Sequence, residues 1–136
     1  MSHDELDNLV KVGQLKTEPV SEQEVVGLIS SGLARLHDAG NETLSIESRF
    51  DLAYNAAHAL SLAALRKMGY RSENRYIVFQ CLKHTLHLAN EQWRVLDQAH
   101  RKRNLAEYEG YLDIDTNLLG ALIRATETVA ERVQGE

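Results

Sequence analysis

The residues best suited to chemistry lie between His100 and Tyr111, His-Arg-Lys-Arg-Asn-Leu-Ala-Glu-Tyr-Glu-Gly-Tyr, where basic, amide and aromatic side chains gather at helical spacing. On a helix, His100, Asn104 and Tyr108 share one stripe, with Arg103 and Glu107 on the adjacent one. An arginine offers a planar fork of donors that fits a phosphate or carboxylate, and a tyrosine offers an apolar ring with a polar tip. Two chemistries follow. The stretch is either a binding surface for a nucleotide, RNA end or protein partner, or a solvated helix face whose cations complement the C-terminal dipole. Two further polar candidates, Tyr54 and His58, sit one turn apart in an Ala-rich segment. The spacing reads His58 as a hydrogen-bonded core or rim residue before a ligand, and both residues join the candidate site.

Other chemistry lacks its residues. His84 and His87 could share a helix face, but metal sites inside helical bundles also use carboxylates from facing helices, and the chain has no Glu-x-x-His pattern. There is no Gly-rich phosphate loop, no zinc-type cysteine pairing and no nucleophile elbow. Neither a metal nor a cofactor is expected. Cys81, the only cysteine, has no intrachain partner for a disulfide and is expected to fill core space.

The elements that must position these groups are helical. A chain of 136 residues with 43% hydrophobic and 26% charged residues is sized for one globular domain. One proline, Pro19, and abundant Ala, Leu, Glu and Arg favour helix after residue 20. The net charge of -5 argues against nonspecific coating of nucleic acid and leaves room for a local basic patch. No apolar run approaches a membrane span, and the N-terminal residues lack the pattern of a signal peptide, so the expected setting is cytoplasmic.

Residues 1–20 read as an N-terminal arm or short helix, with Leu6, Leu9 and Val10 as a short apolar face before Gly13 interrupts. Residues 21–136 read as the bundle domain. Ser21-Glu-Gln-Glu24 has the form of a capping box and predicts a helix over about 22–38, stopped by a left-handed Gly40-Asn41. The strongest period runs from Ile46 to Met68, with Gly69 closing it; its alanines would let neighbours approach closely and make this the most buried element. Arg66, Lys67, Arg71 and Arg75 cluster at the following turn, where the helix dipole alone would favour the first two. A helix from Ser72 or Asn74, another ending at Gly110, and a last one capped by Asp113 or Asp115 and running to about 134 complete the chain. The expected fold is all-α, an antiparallel four-helix bundle with an additional short N-terminal helix.

Two segments carry a family resemblance. Arg49-Phe-Asp-Leu-Ala-Tyr-Asn-Ala-Ala-His-Ala-Leu with Leu65-Arg-Lys-Met-Gly-Tyr-Arg71 resembles the central helix of HEPN domains, and Arg101-Lys-Arg-Asn-Leu-Ala-Glu-Tyr108 resembles their signature helix. The likeness spans about residues 45–134. It implies a helical bundle, often a two-fold dimer, acting as a toxin-type ribonuclease, as the partner of a nucleotidyltransferase, or as a noncatalytic nucleotide-binding or scaffold module. In the family's ribonuclease motif a His follows the Arg by four to six residues. Arg103 and Asn104 match its first part, while Tyr108 holds the His position.

A Tyr with an ordinary pKa of about 10 is a poor general base near neutral pH. The expected function is therefore a noncatalytic HEPN-like module that binds a nucleotide, an RNA end or a nucleotidyltransferase-type partner through His100, Arg101, Arg103, Asn104 and Tyr108. The competing expectations are a metal-independent ribonuclease of toxin-antitoxin type, with His100 replacing the missing His, and a purely structural dimeric interaction protein. Arg103 and Tyr108, displaced by roughly 140° around one helix, would meet across a homodimer interface.

Overall fold

The computed structural model describes residues 3–135; Met1, Ser2 and Glu136, the outer limits of the expected arm and bundle, lie outside the described residues. In chain order the elements are α1 (His3–Lys11), β1 (Lys16–Thr17), α2 (Glu22–Ala39), α3 (Ile46–Lys67), β2 (Tyr70–Arg71), α4 (Arg75–Gln80), α5 (Leu82–Thr85), α6 (Asn90–Glu109) and α7 (Thr116–Gly135). The fold is all-α apart from the two-residue antiparallel pairing of β1 with β2, Lys16 opposite Arg71 and Thr17 opposite Tyr70. No helix among the described residues is long and apolar enough to cross a membrane.

α3 is the centre. Its buried face includes Phe50, Ala53, Tyr54, Ala57, Leu60 and Ala64, which form one core with Leu96 and Ala99 of α6 and Leu119, Leu122, Val129 and Val133 of α7. Small side chains let α2 come close: a Cβ on Gly32 would stand 2.6 Å from Leu60 Cγ. A second, smaller core lies under the N-terminal segment, where Leu6 and Leu15 pack with Leu65, Tyr70, Ile77, Val78 and Cys81. Burial pushes the Cys81 thiol up to about 11, so it is an apolar filler.

Local signals set several helix ends. Ser21 Oγ accepts from Glu24 N at 3.2 Å, Asn74 Oδ1 from Ile77 N at 3.2 Å, and Asp115 Oδ1 from Leu118 N at 2.8 Å. Gly110 closes α6 at φ 79° and Gly69 turns the chain after α3 at φ 89°, the left-handed region where a side chain would be strained.

Three expectations change. Gly40 sits at φ -79°, so α2 stops in a right-handed turn, with Gly40 N donating to His37 O. The second half of the capping box is replaced by a longer-range pairing: the Glu24 carboxylate accepts from Arg66 Nε at 2.8 Å and from Arg71. Arg66 itself is 0% exposed. It donates to the carbonyls of Glu18, Pro19 and Tyr70, clasping the segment before α2 onto the end of α3. Lys67 donates to Val133 O of α7. The basic turn is thus mostly internal scaffolding, beyond what a helix dipole requires.

Candidate functional site

Tyr54, Asn55 and His58 project from one side of α3 because their positions are separated by one and three residues. They interrupt a wall of alanines and meet α4 and α6. Tyr54 is only 1% exposed; its ring stacks near Phe50 at 6.4 Å and His100 at 6.2 Å and meets Phe79 edge-on at 5.7 Å. His58 also packs edge-on against Phe79, at 6.2 Å. The floor of the cluster is aromatic.

His100 is held from both sides. Its Nδ1 shares a hydrogen bond with Tyr54 Oη at 2.9 Å, and its Nε2 lies 3.1 Å from Asn104 Nδ2. With the amide donating to Nε2, the neutral ring carries its proton on Nδ1 and donates it to Tyr54. The i, i+4 stripe thus works for its first two members. Its third, Tyr108, is 91% exposed, because the last turns of α6 extend past the packed body.

Two cations complete the cluster. The Arg103 guanidinium lies 5.1 Å from the Tyr54 ring centroid and that of Arg75 lies 5.5 Å from the same centroid. Arg75 is steered by Asn55, whose Oδ1 accepts from it at 3.1 Å while the Asn55 amide donates to Asp51 O at 2.9 Å. Arg103 also makes a long pairing, 3.8 Å, with Glu107. Arg101 turns away to Asp97 at 3.1 Å and is largely exposed.

The electrostatics reflect this convergence. His58 is pushed down to about 4, first by burial and then by Arg75, Arg103 and His100. His100 moves the same way, through burial, Arg103 and Arg75, with Asp97 opposing. Burial raises the Tyr54 hydroxyl above its usual value, against the pull of both arginines. At neutral pH the site therefore holds two neutral imidazoles, a neutral phenol and two fixed guanidinium charges. Such a site is suited to an anion, and an arriving anion would draw protons onto the imidazoles.

Of the residues singled out in the sequence, Tyr54, His58, His100, Arg103 and Asn104 come together, whereas Arg101 and Tyr108 stand outside the cluster. Arg75, Asn55 and Phe79 are additions. The available signal for them was the polar interruption of the alanine wall on α3 and the four-residue spacing of Arg75 and Phe79 on α4. His84 lies in α5 and His87 in the loop after it, at φ 55°. No group of three or more His, Cys, Asp or Glu among the described residues is arranged to hold a metal ion. No protein-family model, curated protein or solved structure matches the chain.

Proposed function

We propose that this chain is a noncatalytic HEPN-like module that binds the phosphate of a nucleotide or RNA end where α3, α4 and α6 meet. The observation that carries the reading is the convergence of Arg75 and Arg103 on the single ring of Tyr54, beside His58 and His100. Two forked donors facing one spot suit the oxygens of a phosphate, and the half-buried setting strengthens charge-assisted hydrogen bonds. His100, fixed by Tyr54 and Asn104, supplies a further polar edge.

In the wider proposal the four long helices α2, α3, α6 and α7 form an antiparallel four-helix bundle. The protein works in the cytoplasm as a homodimer and docks a nucleotidyltransferase-type partner. Leu105, Tyr108 and Tyr111, exposed near the end of α6, are the surface offered to a second copy. Light scattering at micromolar concentration tests the dimer, and a monodisperse monomer would remove it.

The binding reading is tested by titrating a short single-stranded RNA carrying a 5′-phosphate. Arg103→Ala is expected to weaken binding roughly tenfold or more, with an unchanged circular dichroism spectrum. Unchanged affinity would take Arg103 out of the site.

A ribonuclease is the second reading, favoured by one observation: two imidazoles, His58 and His100, each meet the Phe79 ring edge-on at 6.2 Å beside the arginines. The first reading ranks ahead because both are pushed toward neutrality and Tyr54 is a weakened acid, so the resting site lacks a ready proton donor for the leaving oxygen. RNA cleavage by purified protein that disappears in both Arg103→Ala and His100→Ala would reverse the ranking. A purely structural protein would show no thermal stabilisation by any nucleotide, whereas a bound ligand stabilises by mass action.

A further inference from the structure

Beside the two arginines stands an aromatic side chain that neither the packing nor the phosphate contact uses fully. Tyr76 follows Arg75 in the first turn of α4 and remains 38% exposed. Its ring lies 6.4 Å from His100, tilted by 39°, and meets Trp93 edge-on at 6.4 Å with a 67° interplanar angle. Trp93 is braced in turn by the Lys83 ammonium, 5.3 Å from its ring. Tyr76 is thus fixed in orientation by neighbours on α6 and still partly open to solvent. A planar ring held in this way, adjoining a cationic cluster, is the pairing that nucleotides require: a π-face for the base and forked donors for the phosphate.

We infer that Tyr76 is the stacking platform for a nucleobase whose own terminal phosphate sits between Arg75 and Arg103, so the ligand class is a nucleoside monophosphate or the phosphate-bearing terminal nucleotide of a single strand. This rests on the phosphate-binding reading above and adds the base. Charge argues for a terminal phosphate over an internal one. A terminal phosphate carries about -1.5 to -2 charge at pH 7 and a diester a single negative charge. The two guanidiniums of Arg75 and Arg103 at the Tyr54 ring balance the former. Stacking of this kind tolerates different bases because each presents a π-face.

Calorimetric titration of the full chain with AMP, ribose 5-phosphate and inorganic phosphate tests the assignment. AMP is expected to bind about tenfold or more tightly than ribose 5-phosphate. Tyr76→Ala should abolish that difference while leaving inorganic phosphate binding within about twofold, and Tyr76→Phe should preserve it. Tyr76→Leu, which keeps most of the volume and removes the π-face, serves if the alanine variant does not fold. Equal binding of AMP and ribose 5-phosphate, or a preference for AMP that survives both Tyr76→Ala and Tyr76→Leu, would overturn the platform while leaving the phosphate site standing. Failure of all three probes to bind the wild-type protein would overturn both.

Discussion

Tyr54 and His100 are 46 positions apart in the chain, and their Oη and Nδ1 atoms lie 2.9 Å apart. That contact ties the central helix α3 to α6 and fixes the tilt of the imidazole against the Tyr54 ring. Tyr54→Phe keeps the stacked ring and deletes only the hydroxyl. It is expected to cost about 1 kcal/mol of stability in denaturant titration and to weaken phosphate binding several-fold, because His100 loses its orientation. A variant with unaltered binding would reduce Tyr54 to a packing residue.

Arg75 is aimed by Asn55, which accepts from it at 3.1 Å. Arg75→Ala should therefore weaken binding as much as Arg103→Ala does. Arg75→Lys should restore little, since a point charge does not reproduce the fork. Asn55→Ala should give an intermediate loss by leaving the guanidinium unsteered. Calorimetry on the three variants separates charge from orientation; full recovery in Arg75→Lys would mean that charge alone matters.

Acid should loosen the fold through the same cluster. His58 has a folded pKa of about 4 against an ordinary 6.5, so between those values the unfolded chain binds more protons and stability rises with pH. The contribution is intact above about pH 6.5 and is lost as pH falls toward 4. Arg75, Arg103 and His100 face His58 and all disfavour its charge. Glu24, held below its usual carboxylate value chiefly by Arg66 and Arg71, adds a separate loss as pH drops through its folded pKa. Unfolding free energies from urea titrations at pH 7 and pH 5 should differ by about 2 kcal/mol, and His58→Gln should remove most of that difference. An equally steep dependence in His58→Gln would assign it elsewhere.

Gly32 is a contact point between α2 and α3. A methyl group there would press on Leu60, a fully buried side chain. Although alanine favours helix over glycine, Gly32→Ala is expected to destabilise by roughly 1–3 kcal/mol through overpacking. Leu60→Val in the same chain should recover part of the loss. A higher melting temperature for Gly32→Ala would show that α2 can shift outward freely.

Arg66 is fully buried, and its removal would leave the Glu24 carboxylate and the Glu18, Pro19 and Tyr70 carbonyls short of donors. Arg66→Ala should cost about 3–5 kcal/mol and expose the segment before α2 to proteolysis. Arg66→Lys should restore only part of the stability, because one ammonium does not span those acceptors. Limited digestion and thermal melts provide the check; a melt within a degree of the wild type would show that the clasp is dispensable.

Much of the helical architecture was legible locally. Ser21, Asn74, Asp115 and Gly110 act at helix ends because a cap interacts with amides or carbonyls within about one turn of itself. The period from Ile46 to Met68 marks α3 as central, since apolar spacing and small side chains are properties of the segment alone. Helical periodicity likewise pairs His100 with Asn104. The same periodicity says nothing of where the body of the protein ends, which is why Tyr108 shares their stripe and still stands in solvent.

What the tertiary structure decided is which distant polar groups meet. Glu24 had a local partner at Ser21, yet a buried guanidinium that needs a counter-charge captures its carboxylate. Arg66, Lys67, Arg71 and Arg75 form one basic run in the chain; packing sends the first three to scaffold contacts and Arg75 to Tyr54 and Asn55. Such pairings carry no period along the chain. They exist because α3, α4 and α6 bury their apolar faces together, and the polar residues beside those faces are brought to one place.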